Sequence, residues 1–175
     1  IGIEVAGLVE QDSDTATARA AELGVRLGYP SLAAALADPE VDVVHLAVPN
    51  HLHAPYAKAA LAAGKPVLCE KPLAMTRAES AVLAELARRS GLVTAVNYNL
   101  RGYPLGHEAR ELVRAGRLGR TFLVHGAYLQ DWLLYDTDWN WRAETERGGG
   151  LRVVGDIGSH WFDLATFVTG QKVSM

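Results

Sequence analysis

The amino-acid sequence predicts a doubly wound α/β fold, with helices on both faces of a parallel sheet, followed by the start of an α+β region. Strand-like and helix-like stretches alternate over the first hundred residues, which is typical of βαβ units with right-handed crossovers. The stretch at residues 41–48 is almost continuously apolar, as expected for a strand buried on both faces of a parallel sheet. The alternation ends near residue 100, which places a domain boundary there.

Short apolar runs bounded by polar residues predict the strands of the first region. Residues 3–9 form the first of these runs, and Glu10 ends it. His45 lies inside the apolar run at residues 41–48 and is expected to be a core histidine. The other predicted strands are a short one around Arg26 and Leu27, one at residues 67–69 and one at residues 93–96.

Capping residues predict the helices between these strands. Ser31 can cap a short helix that stops before Asp38, because a proline follows that residue. Thr76 and Glu79 have the spacing of a capping box. Two further helices are predicted, at residues 15–23 with a stop at Gly24 and at residues 55–63 with a stop at Gly64. The helix that begins after Thr76 is expected to end near residue 90, before Gly91.

Elements of a different kind are expected beyond the boundary. Residues 121–128 alternate between apolar and polar side chains, which indicates a strand with one solvated face. Residues 129–147 are rich in Trp, Asp and Tyr and are expected to form a long loop. Two helices are predicted, at residues 108–115 before Gly116 and at residues 156–169 before Gly170.

The composition is that of an ordinary globular protein, with 49% hydrophobic and 21% charged residues and a formal net charge of -3. This charge gives no reason to expect a nucleic-acid partner, and no apolar run approaches the roughly 20 residues of a membrane helix. The single cysteine, Cys69, excludes an internal disulfide and a cysteine-based metal site. We therefore expect no metal and a reducing, cytoplasmic environment.

The start of the chain raises the question of a dinucleotide site. Such a fold places a G-x-G-x-x-G turn after its first strand and a ribose-binding acid about 20 residues later. The sequence lacks that glycine motif, begins at Ile1 and carries Glu10 at the end of its first strand. If Glu10 is the ribose acid, the glycine turn precedes residue 1; the alternative is a solvated strand end. A carboxylate there favours NAD over NADP, because it repels a 2′-phosphate.

Two blocks of sequence carry a family resemblance. The first comprises residues 47–53 (AVPNHLH) and residues 62–72 (AAGKPVLCEKP). The second comprises the glycines at residues 148–150, residues 155–163 (GDIGSHWFD) and Thr169 with Gly170. In this order and separation they resemble the Gfo/Idh/MocA family of oxidoreductases.

The resemblance implies two incomplete domains. Residues 1–100 would be a dinucleotide-binding Rossmann domain that lacks its N-terminal glycine turn. Residues 101–175 would be the beginning of a substrate domain built on a large open sheet. The resemblance also implies that the intact protein is a homo-oligomer. We expect the 175-residue chain alone to be inactive, because it would expose apolar surface and unpaired strand edges.

The resemblance further assigns site residues. It implies cofactor-side positions at Pro49, Asn50, His53 and Glu70. It implies that Lys71 is the catalytic lysine, next to the cofactor, and that Asp156 and His160 are the substrate-domain pair. The Lys71–Pro72 peptide bond is predicted to be cis, since X–Pro bonds in functional turns tolerate that form.

Lys71, Asp156 and His160 are of the residue types that hydride transfer from an alcohol requires. A histidine suits the general base that removes the hydroxyl proton, and His160 is given that role. Lys71 follows the strand at residues 67–69, at the sheet edge where such folds bind ligands, and its ammonium can stabilise negative charge on the substrate oxygen. Asp156 lies one helical turn before His160 and can orient the substrate. Taken singly, each feature is more commonly a surface turn or a solvated pair.

The aromatic loop supplies candidate substrate contacts at Trp132, Trp141 and Arg142. Aromatic faces near charged groups suit a carbohydrate, because rings pack on C–H faces while polar groups bind hydroxyls. The alternative is that these tryptophans cover a sheet or an oligomer contact.

By resemblance, the expected function is an NAD-dependent dehydrogenase or reductase acting on a CH–OH group of a sugar, glycoside or polyol. Such an enzyme would be similar to inositol dehydrogenases of carbohydrate metabolism. Two alternatives stay open. One is an NAD-dependent glycosidase that uses transient oxidation. The other is a ligand-sensing regulator, a class of relatives that has usually lost the catalytic residues retained here.

Overall fold

The computed structural model describes residues 2–173 and shows the predicted alternation of parallel strands and helices in the first region. The strands are β1 (Gly7–Val9), β2 (Leu27–Tyr29), β3 (Val44–Leu46), β4 (Val67–Cys69) and β5 (Thr94–Val96). The helices that connect them are α1 (Ser13–Leu23), α2 (Leu32–Ala37), α3 (Asn50–Ala62) and α4 (Arg77–Ser90). All strand pairings are parallel, as the α/β prediction required.

The strands divide between two sheets, β1–β2 and β3–β4–β5. In the doubly wound order, two such groups flank a common central strand at the switch point. No strand within residues 2–173 pairs with both β1 and β3, so the two groups remain separate. The predicted strands at residues 3–9 and 41–48 each retain three paired residues, because a strand extends only as far as it finds a neighbour to bond.

One consequence is that His45 is not a core residue. Its side chain is 49% exposed, and Nε2 lies 3.3 Å from Oε1 of Glu70. The expectation of a core histidine is wrong, because the apolar run around it is buried only in part: Leu46 is 3% exposed whereas Val43 is 55% exposed.

Local capping sets the helix ends. Thr76 and Glu79 form the predicted capping box, and Ser31 accepts the predicted hydrogen bond at the start of α2. Helix α1 begins two residues earlier than predicted, because the side chain of Asp12 caps it through a 2.8 Å bond from the Thr15 N–H. The predicted glycine stops are confirmed by left-handed C-caps at Gly24, Gly91 and Gly170.

Helix α3 begins at Asn50, five residues before its predicted start at Pro55. Proline was expected near the first turn, where it does not need an N–H donor. Pro55 lies instead inside the helix on its exposed side. The longer helix brings Asn50 and His53 onto its first turns, beside the end of β3.

The second region contains short helices joined by irregular chain. Its elements are a 3₁₀ turn (Asn99–Gly102), α5 (Pro104–Arg114), a second 3₁₀ turn (Trp141–Ala143), α6 (Thr145–Gly148), a π-helical turn (Val154–Gly158) and α7 (Ser159–Thr169). The strand predicted at residues 121–128 is absent, because no neighbouring strand lies within the described residues to pair with it. Phe122 and Leu123 in that stretch are 85% and 82% exposed.

The apolar core lies between the β3–β4–β5 sheet and helices α3 and α4. Alanines on one face of α3, at positions 54, 57 and 60, pack with Leu46, Val67, Cys69 and Leu83. Small side chains let the helix lie close to the sheet, which holds the carboxyl ends of β3 and β4 beside the start of α3. The described part of the chain contains no helix long and apolar enough to cross a membrane.

Candidate active site

A cavity of about 290 Å³ lies at the carboxyl ends of β3 and β4. This sheet edge is where doubly wound folds bind ligands. The polar, charged and aromatic side chains that line the cavity belong to Asn50, His53, Glu70, Lys71, Trp141 and Arg142. A larger cavity of about 660 Å³ lies against α3, α4 and β5, but its lining is almost entirely apolar. The smaller cavity is therefore the candidate active site.

Lys71 and Asp156 form the central ion pair of this site. The Lys71 ammonium donates to the Asp156 carboxylate and to the Asp156 backbone carbonyl, each at 2.6 Å. The two side chains are only 12% and 14% exposed. An ammonium has three N–H donors, so these contacts leave one for a substrate oxygen. The Lys71–Pro72 peptide bond is cis, as predicted.

Arg142, from the 3₁₀ turn at Trp141–Ala143 of the same region, approaches the same carboxylate. Its Nε lies 3.5 Å from Oδ1 of Asp156, and its guanidinium lies 4.4 Å from the ring centre of Trp141. Asn140 fixes this turn by accepting hydrogen bonds from the Arg142 backbone N–H and from Nη1. The Asp156 carboxylate thus lies between the Lys71 ammonium and the Arg142 guanidinium.

His160 lies on α7, one turn beyond Asp156, and is 8% exposed. The rings of Tyr98 and Tyr128 contact it edge-on at centroid distances of 5.9 and 5.8 Å. Burial lowers the pKa of His160 below the ordinary value of 6.5, and the charge of Lys71 lowers it further, outweighing the nearby carboxylates. The imidazole is therefore neutral at neutral pH and able to accept a proton.

One atom of His160 needs a partner that the described residues do not supply. Its Nδ1 is buried and has no hydrogen-bond partner among residues 2–173. A buried polar atom left in this way costs free energy and commonly marks a ligand or functional position. This observation fits a site that takes a hydroxylated ligand.

Glu70 is held rigidly at the end of β4. Its Oε1 accepts a 2.6 Å hydrogen bond from Asn97 and lies 3.3 Å from His45. Burial raises the pKa of the Glu70 carboxyl, but the hydrogen bonds from Asn97 and His45 outweigh burial, so the pKa is lower than usual. Glu70 is therefore ionised and positioned to accept hydrogen bonds, as from ribose hydroxyls.

The turn between β3 and α3 carries the other predicted cofactor-side residues. Pro49 is the N-cap residue of α3, and Asn50 donates a 2.8 Å hydrogen bond to the Gly148 carbonyl. His53 is fully buried, and both of its ring nitrogens lie within hydrogen-bond distance of backbone carbonyls. The glycine segment of the second block thus lies directly against this turn.

Not every candidate lies at the cavity. Trp141 and Arg142 line it, whereas Trp132 lies outside its lining and is 37% exposed. Glu10 is exposed just beyond β1, at the carboxyl end of the other sheet. That position suits the adenosine end of an extended dinucleotide, whose nicotinamide end would lie near Glu70.

Three residues that contact the predicted site residues were not predicted from the sequence: Asn97, Tyr98 and Asn140. Asn97 and Tyr98 directly follow β5, so the rule that ligands bind at carboxyl strand ends would have found them. Arg101 and Asp163 form a two-bond ion pair at 2.8 and 2.6 Å that joins the turn after β5 to α7. Asp163 lies one turn beyond His160, so this pair holds the helix that carries His160.

Comparisons with known proteins give matches in both regions of the chain. Residues 2–98 match the family model described as an oxidoreductase family with an NAD-binding Rossmann fold, and residues 107–175 match the GFO/IDH/MocA C-terminal domain. Levoglucosan dehydrogenase of Pseudarthrobacter phenanthrenivorans is 36% identical over 157 residues, covering 87% of this chain and 40% of that protein. The 1,5-anhydro-D-fructose reductase of Ensifer adhaerens is 36% identical over 171 residues, covering 95% and 49%.

A solved structure of levoglucosan dehydrogenase in complex with NADH and levoglucosan has a TM-score of 0.90 and 32% identity to this chain. The match covers 96% of this chain and 45% of the levoglucosan dehydrogenase chain. The chain thus spans 40–49% of the length of these relatives. With both family models matched in the predicted order, the chain belongs to the Gfo/Idh/MocA family of oxidoreductases.

Proposed function

We propose that this chain supplies the catalytic side chains of an NAD-dependent oxidoreductase that transfers a hydride between a nicotinamide and a secondary alcohol of a sugar, glycoside or polyol. One observation carries the proposal. Lys71, at the carboxyl end of β4, contacts Asp156 at 2.6 Å, and Asp156 lies one turn before a His160 that is neutral. The relatives named for levoglucosan and anhydrofructose support a sugar substrate.

The side chains divide the proton and charge handling between them. When bound, the nicotinamide supplies the hydride chemistry. His160 takes the hydroxyl proton during oxidation and returns it during reduction. Lys71 uses its third N–H to stabilise negative charge on the substrate oxygen, and Asp156 holds that ammonium in place.

The cofactor is held by residues at the strand ends. Glu70 accepts hydrogen bonds from the nicotinamide-side ribose, and Pro49 and Asn50 shape the turn beside it. Glu10 binds the adenosine ribose and selects NAD over NADP, because a carboxylate repels a 2′-phosphate and Gln11 follows it in place of an arginine. Residues 1–100 form the cofactor domain in this proposal, and residues 101–175 begin the substrate domain.

The substrate lies against Trp141 and Arg142. The Trp141 ring offers a face for sugar C–H groups, and the Arg142 guanidinium can donate to hydroxyls. Trp132 would join them only by a movement of its loop. The intact enzyme is proposed to be a cytoplasmic homo-oligomer, and its exposed Phe122, Leu123 and Leu129 suit an interface.

The test is nicotinamide reduction by the intact protein with a panel of sugars, anhydrosugars and polyols, with NAD and NADP in parallel. Lys71→Met should lower kcat on the order of 10²–10³-fold, as loss of a charge-stabilising donor does. Lys58→Met, at an exposed lysine on α3, is the matched control and should leave kcat unchanged. Tight NAD binding with no turnover of any sugar would overturn the proposal and favour a regulator. Hydrolysis of a glycoside with catalytic NAD would favour the glycosidase.

A further inference from the structure

His53 has an unusual hydrogen-bonding environment. It lies on the second turn of α3 and is completely buried. Its Nδ1 is 2.7 Å from the Pro72 carbonyl oxygen, and its Nε2 is 2.9 Å from the Val48 carbonyl oxygen. Both distances are those of well-formed hydrogen bonds.

Two carbonyl acceptors determine the state of the ring. A carbonyl oxygen can only accept, whereas a neutral imidazole has one N–H donor and one lone pair. A neutral His53 would therefore point a lone pair at a carbonyl oxygen less than 3 Å away. An imidazolium donates to both oxygens, and such charge-assisted bonds are the short, strong kind. Both contacts can be N–H···O hydrogen bonds only when both ring nitrogens of His53 carry a proton.

The two carbonyls belong to the two turns that form the cavity. Val48 lies between β3 and α3, immediately before Pro49 and Asn50. Pro72 lies immediately after Lys71, beyond β4. Neither carbonyl lies in a strand ladder, so His53 supplies a partner that each would otherwise lack. One buried side chain thus joins the cofactor-side turn to the turn that carries Lys71.

Other charged groups line the same cavity. They are Glu70 and Lys71 at the end of β4 and Arg142 from the turn before α6, with Asp156 paired to both cations. The ionised Glu70 offsets part of the positive charge that His53 adds, and the two carbonyl dipoles offset more.

We propose that His53 is held as an imidazolium and is a positioning residue, which orients Lys71 by fixing the Lys71–Pro72 turn against the turn at Val48. The proposal rests on the proposed function for its kinetic consequence, but the charge of the ring does not depend on any substrate. His53 does not touch the reacting atoms, since both nitrogens are occupied by backbone oxygens.

The first measurement is ¹⁵N–¹H correlation spectroscopy of histidine side chains in the intact protein at neutral pH, without substrate. His53 should show two protonated ring nitrogens, and its signals are identified by their loss in His53→Gln. His51→Gln, at an exposed histidine two residues earlier on the same helix, is the matched control and should remove a different set. A His53 ring with one protonated nitrogen would overturn the proposal, whether or not any sugar is turned over.

The second measurement separates positioning from folding. In His53→Gln, kcat per NADH-binding site should fall on the order of 10²-fold, as expected for a misplaced catalytic group, with KM little changed. A crystal structure of the variant should show the 2.6 Å contact between Lys71 Nζ and Asp156 Oδ1 lengthened. If His53→Gln instead reduced the number of NADH-binding sites and left kcat per remaining site unchanged, the role of His53 would be merely structural. That result would contradict the proposal. If the variant does not fold, the His53 signals are assigned in the unmodified, isotope-labelled protein by through-bond correlation to its backbone, and they still decide the charge state.

Discussion

At the residue scale, the chemistry of the site depends on a cluster of three charged side chains, two of which are largely buried. Lys71 and Asp156 are removed from water almost completely, and Arg142 shares the same carboxylate oxygen. Desolvating charges costs free energy that only good partners recover. The cluster should therefore be sensitive to the loss of any one of these partners.

Replacing Asp156 by alanine should destabilise the intact protein by about 3 kcal/mol, because it leaves the buried Lys71 ammonium without its partner. Glu85→Ala removes two exposed ion pairs on α4, with Arg88 and Arg89, and should lower the free energy of unfolding far less, because surface pairs contribute little. Urea unfolding of both variants checks this. If both variants lost the same free energy of unfolding, the Lys71–Asp156 pair would behave as a surface ion pair.

The pH dependence of the proposed oxidation follows from His160. A base must be neutral to accept a proton, and burial and Lys71 both lower the pKa of His160 below 6.5. The acid limb of kcat/KM should therefore lie below pH 6.5. Lys71→Met should raise the pKa of His160, measured by NMR titration of its ring protons, and Lys58→Met should not. A His160 pKa unchanged by Lys71→Met would mean that burial alone sets it.

At the element scale, each helix is limited by side chains within a few residues of its ends. The capping box of α4 satisfies N–H groups at both Thr76 and Glu79, through bonds of 3.0 and 3.2 Å. Such caps act before any tertiary contact forms, which is why the sequence revealed them.

Thr76→Ala should lower the free energy of unfolding by about 1 kcal/mol, because it removes the cap of α4. Thr17→Ala is the matched control: its hydroxyl bonds the Ser13 carbonyl within exposed helix α1, where alanine is the better helix former. Chemical denaturation of both variants gives the comparison. A greater loss for Thr17→Ala would show that helix propensity, and not capping, governs these helices.

At the scale of the whole molecule, three long-range contacts matter for the site: two join the first region to the second, and one lies within the second region. Asn50 reaches Gly148 across 98 residues, Lys71 reaches Asp156 across 85, and Arg101 reaches Asp163 across 62. All three converge near the cavity or on the helix that carries His160. The site is therefore built by the association of the two regions and not by either alone.

The Arg101–Asp163 pair should couple the turn after β5 to α7 by about 1 kcal/mol, a low value because the Arg101 side chain is 49% exposed. A double-mutant cycle of Arg101→Gln and Asp163→Asn, read by thermal unfolding, measures the coupling. Asp163→Asn should also lower kcat, since it loosens the helix beneath His160. Additive effects on unfolding, together with an unchanged kcat, would contradict both parts.

The sequence by itself determined what depends on nearby residues. The alternation of strands and helices, the caps at Ser31, Thr76 and Gly91, and the two family blocks are all written within short stretches of chain. The assignment of Lys71, Asp156 and His160 to one catalytic site was also a prediction from the sequence, through the resemblance that the two blocks carry. Local periodicity and capping encode these features through contacts of a few residues.

Only the tertiary structure decided which of these residues meet. Strand lengths, the exposure of His45 and the missing strand at residues 121–128 depend on whether a neighbouring strand is present to accept hydrogen bonds. The meeting of Lys71 with Asp156 and of His53 with two backbone carbonyls depends on atoms far apart along the chain. Periodicity along a sequence carries no record of such distances, so the charge states of this site follow from the folded geometry alone.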